Sequence, residues 1–238
     1  MPNKPFDWST LTRISIYDHM ERFRSTGTKR LPVKDHYKLL ANHIRKIAPL
    51  RVSTRQNYNV PRNAVIVSGQ YYSDLDQEGH KCIQINLLYS PFDKKIKLQD
   101  NRYIWLSKEI ADTLLHEIIH MRQFRRRDFK NSSTYRSKED NIPKRIEQCY
   151  LGNTDEIDAF GFNIACEVYD RFGSQPKAIE KFLAVNRPKK HSLYKYYLST
   201  FDYNHSHPVI QKLKKKVINY LPLAEMGKPY KNSDWIWY

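Results

Sequence analysis

The segment TLLHEIIHMRQ (113–123) places His116 and His120 four residues apart, with Glu117 directly after the first. On a helix, side chains four apart stack on one face about one turn from each other. Two imidazoles so placed can reach a single zinc ion at the usual Zn–N distance of about 2.0–2.1 Å. Glu117 is turned so that its carboxylate can reach a water on that ion without being a ligand. The chemistry this allows is hydrolytic. The cation lowers the pKa of the water, Glu117 takes the proton, and the hydroxide attacks a carbonyl carbon. Without an ion, the same residues would make a core helix carrying two hydrogen-bonded histidines.

A catalytic site of this kind needs a third protein ligand and one position left for water. Arg126 occupies the position six residues after His120, so a third histidine is absent there. The best candidate lies in YLGNTDEIDAFGFNIACEVY (150–169). Glu156 opens a helix whose apolar face includes Ile157, Phe160, Ile164 and Val168, and Ala159 and Gly161 are small enough to permit close helix approach. A glutamate presented across such a crossing would complete a His, His, Glu set. Glu156 also suits a capping box with Asn153 as N-cap, and Asp155, Asp158 and Glu147 are reserves for the ligand role. Peptide hydrolysis further requires a donor for the oxyanion. HSLYKYYLSTFDYNHSHP (191–208) offers His191, Tyr196, Tyr197, Tyr203, His205 and His207, and their spacing does not choose among them. Ser206 beside Pro208 reads as a helix start, which favours His205 and His207 as loop residues.

Positioning this chemistry falls to a helix predicted from Ser107, as N-cap, to about Arg125, with Glu109 and Asp112 complementing its dipole. Ile110, Leu114, Leu115, Ile118, Ile119 and Met121 cover most of its sides, so it should be buried. Before it, AVIVSGQYYS (64–73) and KCIQINLLYS (81–90) read as strands joined through DLDQEGH, and KKIKLQDNRYIWLS (94–107) offers one or two more short strands. Helical spacing also runs over 8–24 and 34–48, with Leu39, Leu40, His43, Ile44 and Ile47 along one stripe and His43 an interior or boundary residue. Residues 125–145 read as a mobile basic loop. Helices follow at 143–151, 154–172, 176–185, 192–202 and 207–221, before the aromatic tail SDWIWY. The expected fold is α+β: a small antiparallel sheet, then a mostly helical region centred on the motif helix. It is read as one domain, with N-terminal helices over 1–50, sheet over 60–107, the helical part over 107–222 and a tail over 223–238.

A formal charge of +16, from 41 Lys and Arg against 25 Asp and Glu, favours nucleic acid, anionic surfaces or acidic partners. RQFRRR (122–127), RPKK (187–190) and KLKKK (212–216) are the clusters that could contact phosphate. The N-terminus has no apolar signal region, and no stretch approaches the roughly 18 apolar residues of a membrane span. A cytoplasmic protein without a membrane partner is expected. Cys82, Cys149 and Cys166 are widely spaced, which suits a reducing compartment and argues against a cysteine zinc knuckle. No phosphate-binding loop or dinucleotide fingerprint is present.

HEIIH (116–120) followed by DEIDAF (155–160) resembles the zincin metallopeptidases, specifically the glutamate-ligand group, the gluzincins, in the style of their small intracellular and phage-encoded members. The likeness covers about residues 80–170. It implies a zinc metalloendopeptidase acting on protein or peptide, with His116, His120 and Glu156 as ligands and Glu117 as base. It also implies an edge strand, with IQINLLYS (83–90) the candidate, that holds an extended peptide by strand addition. Phe160 departs from the pattern, since several gluzincins carry there an aspartate bonded to a ligand histidine. Asp112, one turn before His116, could orient a ligand instead. The alternative is a basic nucleic-acid-binding or virion-associated protein whose zincin scaffold holds a structural metal.

Overall fold

The computed structural model describes residues 30–32, 38, 41–42, 44–45, 50–62, 64–93, 95–97, 100–185 and 192–226. The chain forms two compact units, residues 1–129 and 130–238. Among the described residues the class is α+β, with all the strands in the first unit.

The first unit runs β1 (Arg30–Pro32), β2 (Arg51–Gln56), β3 (Val65–Tyr71), α1 (Ser73–Gln77), β4 (Ile83–Tyr89), β5 (Lys95–Lys97) and α2 (Asp100–Arg126). β1 and β5 form a separate antiparallel pair. The main sheet has the order β2-β4-β3, with β4 antiparallel to β3 and parallel to β2. Strand periodicity explains β4: Ile83, Ile85, Leu87 and Tyr89 are buried on one face, while Gln84, Asn86 and Leu88 point the other way. On the second face Asn86 is the hub. Ser53 of β2 donates to its Oδ1 at 2.6 Å, and its Nδ2 donates to Ser68 of β3 at 3.5 Å. The apolar face packs on Leu106, Ile110, Leu114, Ile118 and Met121 of α2, together with Ala41 and Ile44. Each of these leucine, isoleucine and methionine side chains contributes about 1.5–3 kcal/mol when fully buried.

Three expectations are corrected here. The sheet is mixed rather than antiparallel, because β2 joins it; RVSTRQ has one apolar residue, Val52, and so carries little strand signal. Strand β4 is interior, paired along both sides, and its backbone cannot receive a peptide. Tyr103–Leu106 is helical, and Ser107 lies inside α2 rather than capping it. Leu106, Ile110 and Leu114, spaced by four, continue one buried stripe, and that packing outweighs the aromatic, β-branched look of the segment. The β3–β4 antiparallel pair is as expected, although its connection folds into α1. Residues 38, 41, 42, 44 and 45 are helical. The helix over 8–24, His43, RPKK, His191 and the terminal aromatic tail lie outside the described residues.

The second unit contains α3 (Ile142–Leu151), α4 (Thr154–Phe172), α5 (Pro176–Ala184), α6 (Leu193–Thr200) and α7 (Pro208–Met226). Helix α4 has the bounds read from sequence, and its Ile157, Ile164 and Val168 enter the core with Tyr194, Tyr197, Leu198 and Leu213. Gly161 does permit a close crossing, and the partner is α7: a Cβ at Gly161 would stand 2.7 Å from Lys216 Cβ. The segment 130–141 is irregular, as its composition suggested, and several of its side chains contact the helices. Tyr135 lies over Gly152 and edge-on to Phe201 and His207, Ser132 donates to Asn153 Oδ1 at 3.0 Å, and Ser137 bonds Gln148.

Candidate metal centre

Helix α2 turns His116 and His120 toward one point. Their Nε2 atoms are 3.0 Å apart and their rings stand nearly perpendicular, at 81°. Two nitrogens on one tetrahedral zinc are about 3.3 Å apart at ordinary bond lengths, so this spacing is close to a chelating one. His120 Nδ1 lies 2.9 Å from Gln123 Oε1. A carboxamide oxygen only accepts, so Nδ1 carries the hydrogen and Nε2 presents its lone pair. Two ring nitrogens at this distance are joined either by a hydrogen carried on the His116 nitrogen or by a metal cation between them. Gln123, buried one turn after His120, carries no sequence signal of this role, which the resemblance had offered to Asp112.

Glu117 is buried on the sheet side of α2. A Cβ added at Gly69 of β3 would stand 2.6 Å from Glu117 Oε1 and 2.7 Å from Glu117 Cγ and Thr113 Cγ2. Strand β3 thus gives up a side chain where the carboxylate lies against it. The signal for Gly69 was present in the sequence as a single glycine inside a β-branched and aromatic run, a mark of close backbone approach.

The end of α2 is clamped to the β3–β4 connection. Arg125 Nε donates to Asp76 Oδ2 at 2.8 Å, Arg125 Nη2 to Asp76 Oδ1 at 2.5 Å, and Tyr71 Oη to Asp76 Oδ2 at 2.9 Å. Burial pushes the Asp76 carboxyl up, but the hydrogen bonds from Arg125 and Tyr71 outweigh it and hold the group below its ordinary value. Burial and the Asp76 charge push the Cys82 thiol up to about 11. Arg125 is therefore committed to an ion pair, and Arg127 lies over the Phe124 ring at 5.2 Å, which reduces what the cluster at 122–127 can offer to phosphate.

In the second unit, Glu156 is half-buried in the first turn of α4. Asn153 is the N-cap of α4: its Oδ1 accepts from Asp155 N at 3.0 Å, and its own N–H donates to Tyr150 O at 3.1 Å. Asp158 is held by Tyr220 Oη at 2.9 Å and Lys216 Nζ at 2.5 Å, and Glu147 accepts from Tyr196 Oη. Both reserves are thus engaged within their own unit, and Asp155 is buried. Phe160 packs edge-on against Tyr197, with centroids 5.5 Å apart.

No protein-family model, curated protein or solved structure matches this chain.

The proposed oxyanion donors separate by environment. Tyr196 is taken by Glu147. Tyr203 is exposed and sits in the left-handed region with φ 56°. His205 Nδ1 stands 3.0 Å from Lys214 Nζ, and burial first, then the lysine charge, lowers its pKa. His207 Nδ1 accepts from Val209 N at 3.2 Å, so His207 rather than Ser206 serves the start of α7; burial lowers its pKa as well. Tyr197 is fully buried, and its hydroxyl has no hydrogen-bond partner among the described residues. None of the described helices is long and apolar enough to cross a membrane.

Proposed function

We propose that the chain is a zinc-dependent metalloendopeptidase of the zincin type, with His116, His120 and Glu156 as ligands and Glu117 as the catalytic base. The observation that carries this reading is the convergence of His116 and His120 Nε2 at 3.0 Å, with the second imidazole oriented by Gln123. Two imidazoles and one carboxylate suit zinc and leave a position for water. A bound zinc would make that water a strong nucleophile near neutral pH.

The chain's own residues supply the rest. Gln123 fixes the tautomer of His120. Glu117, seated against Gly69, accepts a proton from the attacking water and returns it to the leaving amine. With β4 interior, the edge of β3 beside Glu117 becomes the candidate for holding an extended substrate.

Metal analysis and a casein-type cleavage assay on the wild type and Glu117→Gln test the proposal. One zinc per chain in both proteins is expected, with cleavage lower by about 10²–10⁴-fold in the variant. Stoichiometric zinc without cleavage, alongside salt-sensitive DNA binding, would select the nucleic-acid-binding reading in its place.

A further inference from the structure

We infer that Tyr197 is a positioning residue for Glu156, its buried hydroxyl donating to the carboxylate oxygen left over when Glu156 binds the metal. This rests on the metal-centre reading above. Helix α6 carries two fully buried tyrosines with opposite fates. Tyr194 Oη donates to Leu183 O at 2.7 Å, whereas Tyr197 Oη donates to nothing among the described residues. More than nine in ten buried polar groups are bonded, and a buried hydroxyl left without a partner is destabilising. An orphan donor in a well-packed core therefore calls for an acceptor supplied on ligand binding.

Glu156 is the carboxylate that the fold points to, since it stands one helical turn before Phe160, whose ring packs on Tyr197 at 5.5 Å. After burial, its charge is the next largest influence raising the Tyr197 phenol, ahead of Tyr150 and Tyr196, and Tyr196 is already spent on Glu147. The ring is held by Phe160, one helical turn after Glu156, so α4 presents the carboxylate and seats the phenol together. A carboxylate that gives one oxygen to a metal keeps the other as an acceptor. A donor on that oxygen fixes the ligand's orientation, and loss of such outer partners weakens metal binding by about 10–100-fold.

The test is Tyr197→Phe, read in two ways: zinc affinity by competition with a chromophoric chelator, and thermal unfolding of the chelator-stripped protein. Expected are zinc binding weaker by about 10–100-fold and a stripped-protein melting temperature equal to or above that of the wild type. Tyr194→Phe is the control, and should melt lower while its folded form keeps wild-type zinc affinity. Unchanged zinc affinity in Tyr197→Phe, with zinc bound normally by the wild type, would overturn this inference and leave the metal centre standing. A lower melting temperature of stripped Tyr197→Phe would mark the hydroxyl as structural and also overturn it. Failure of the wild type to bind zinc at all would remove both.

Discussion

Gly69 and Glu117 meet so closely across the packing of β3 on α2 that a methyl group on the glycine would stand 2.6 Å from the carboxylate oxygen. The neighbours of that methyl include Thr113 Cγ2 at 2.7 Å, so it cannot be absorbed by one flexible tip. Gly69→Ala must shift Glu117, the strand or the helix. Overpacking of this kind costs about 1–3 kcal/mol. Urea denaturation should show that loss, and peptide cleavage should fall while bound zinc is retained, since neither His116 nor His120 is among the nearest neighbours of that methyl. A fully active and equally stable Gly69→Ala protein would refute the assigned role of this contact.

Gln123 offers a separate handle on the imidazole pair. Replacing it with Leu removes the acceptor on His120 Nδ1 at 2.9 Å and frees the ring to rotate or change tautomer. Zinc affinity should drop by about 10-fold or more, with little change in the stripped protein. Thermal shift with added zinc measures this directly, because ligand stabilisation scales with the logarithm of concentration over Kd. If zinc raises the melting temperature equally in both proteins, Gln123 does not orient a ligand.

Asp76 should make the first unit acid-sensitive. Its carboxyl is held below the ordinary value by Arg125 and Tyr71 against the opposing effect of burial. A group lowered on folding stabilises fully above its unfolded pKa, and that stabilisation is lost as pH falls through the folded pKa. The contribution is therefore complete at neutral pH and fades below about pH 4. Arg125 is half exposed, so solvent screens the pair. Asp76→Asn should cost about 1–3 kcal/mol at pH 7 and flatten the acid end of the stability curve. Parallel curves for the two proteins between pH 3 and pH 6 would count against the clamp.

Much of the helical half was legible because its signals are local. Asn153, Pro176 and Ser192 mark helix starts, and Gly173 at φ 59° marks the end of α4. The spacing of His116, Glu117 and His120 needs only a helix to become chemistry, and α2 supplies it. Strand β2 and the long N-terminal extension of α2 were not legible, since pairing and packing partners far along the chain decide them. Asn86 shows why: its bonds to Ser53 and Ser68 link three strands, yet nothing in NLLYS marks that residue as a hub. The roles of Gly69 and Gln123 were hidden for the same reason. Each acts through one contact whose partner only the folded chain identifies.

Helix α4 provides the last test, at Gly161. Substituting Ala there would gain about 0.8–1.0 kcal/mol of helix propensity if the side chain pointed into open space. It points instead at α7, where a Cβ would stand 2.7 Å from Lys216 Cβ and 3.6–3.7 Å from the backbone of Lys216 and Val217. The nearest atom is the root of a side chain, which cannot swing away, so the helices must separate. Separation loosens the packing of Ile157, Ile164 and Val168 against Leu213 and Val217, residues of one core. The packing loss of about 1–3 kcal/mol outweighs the propensity gain. Gly161→Ala should therefore be less stable than wild type by about 1 kcal/mol, and Gly161→Val by more, because β-branching adds volume without the propensity benefit. Chemical denaturation of the three proteins gives the ranking. An alanine variant more stable than wild type would show that α4 and α7 do not depend on this close approach.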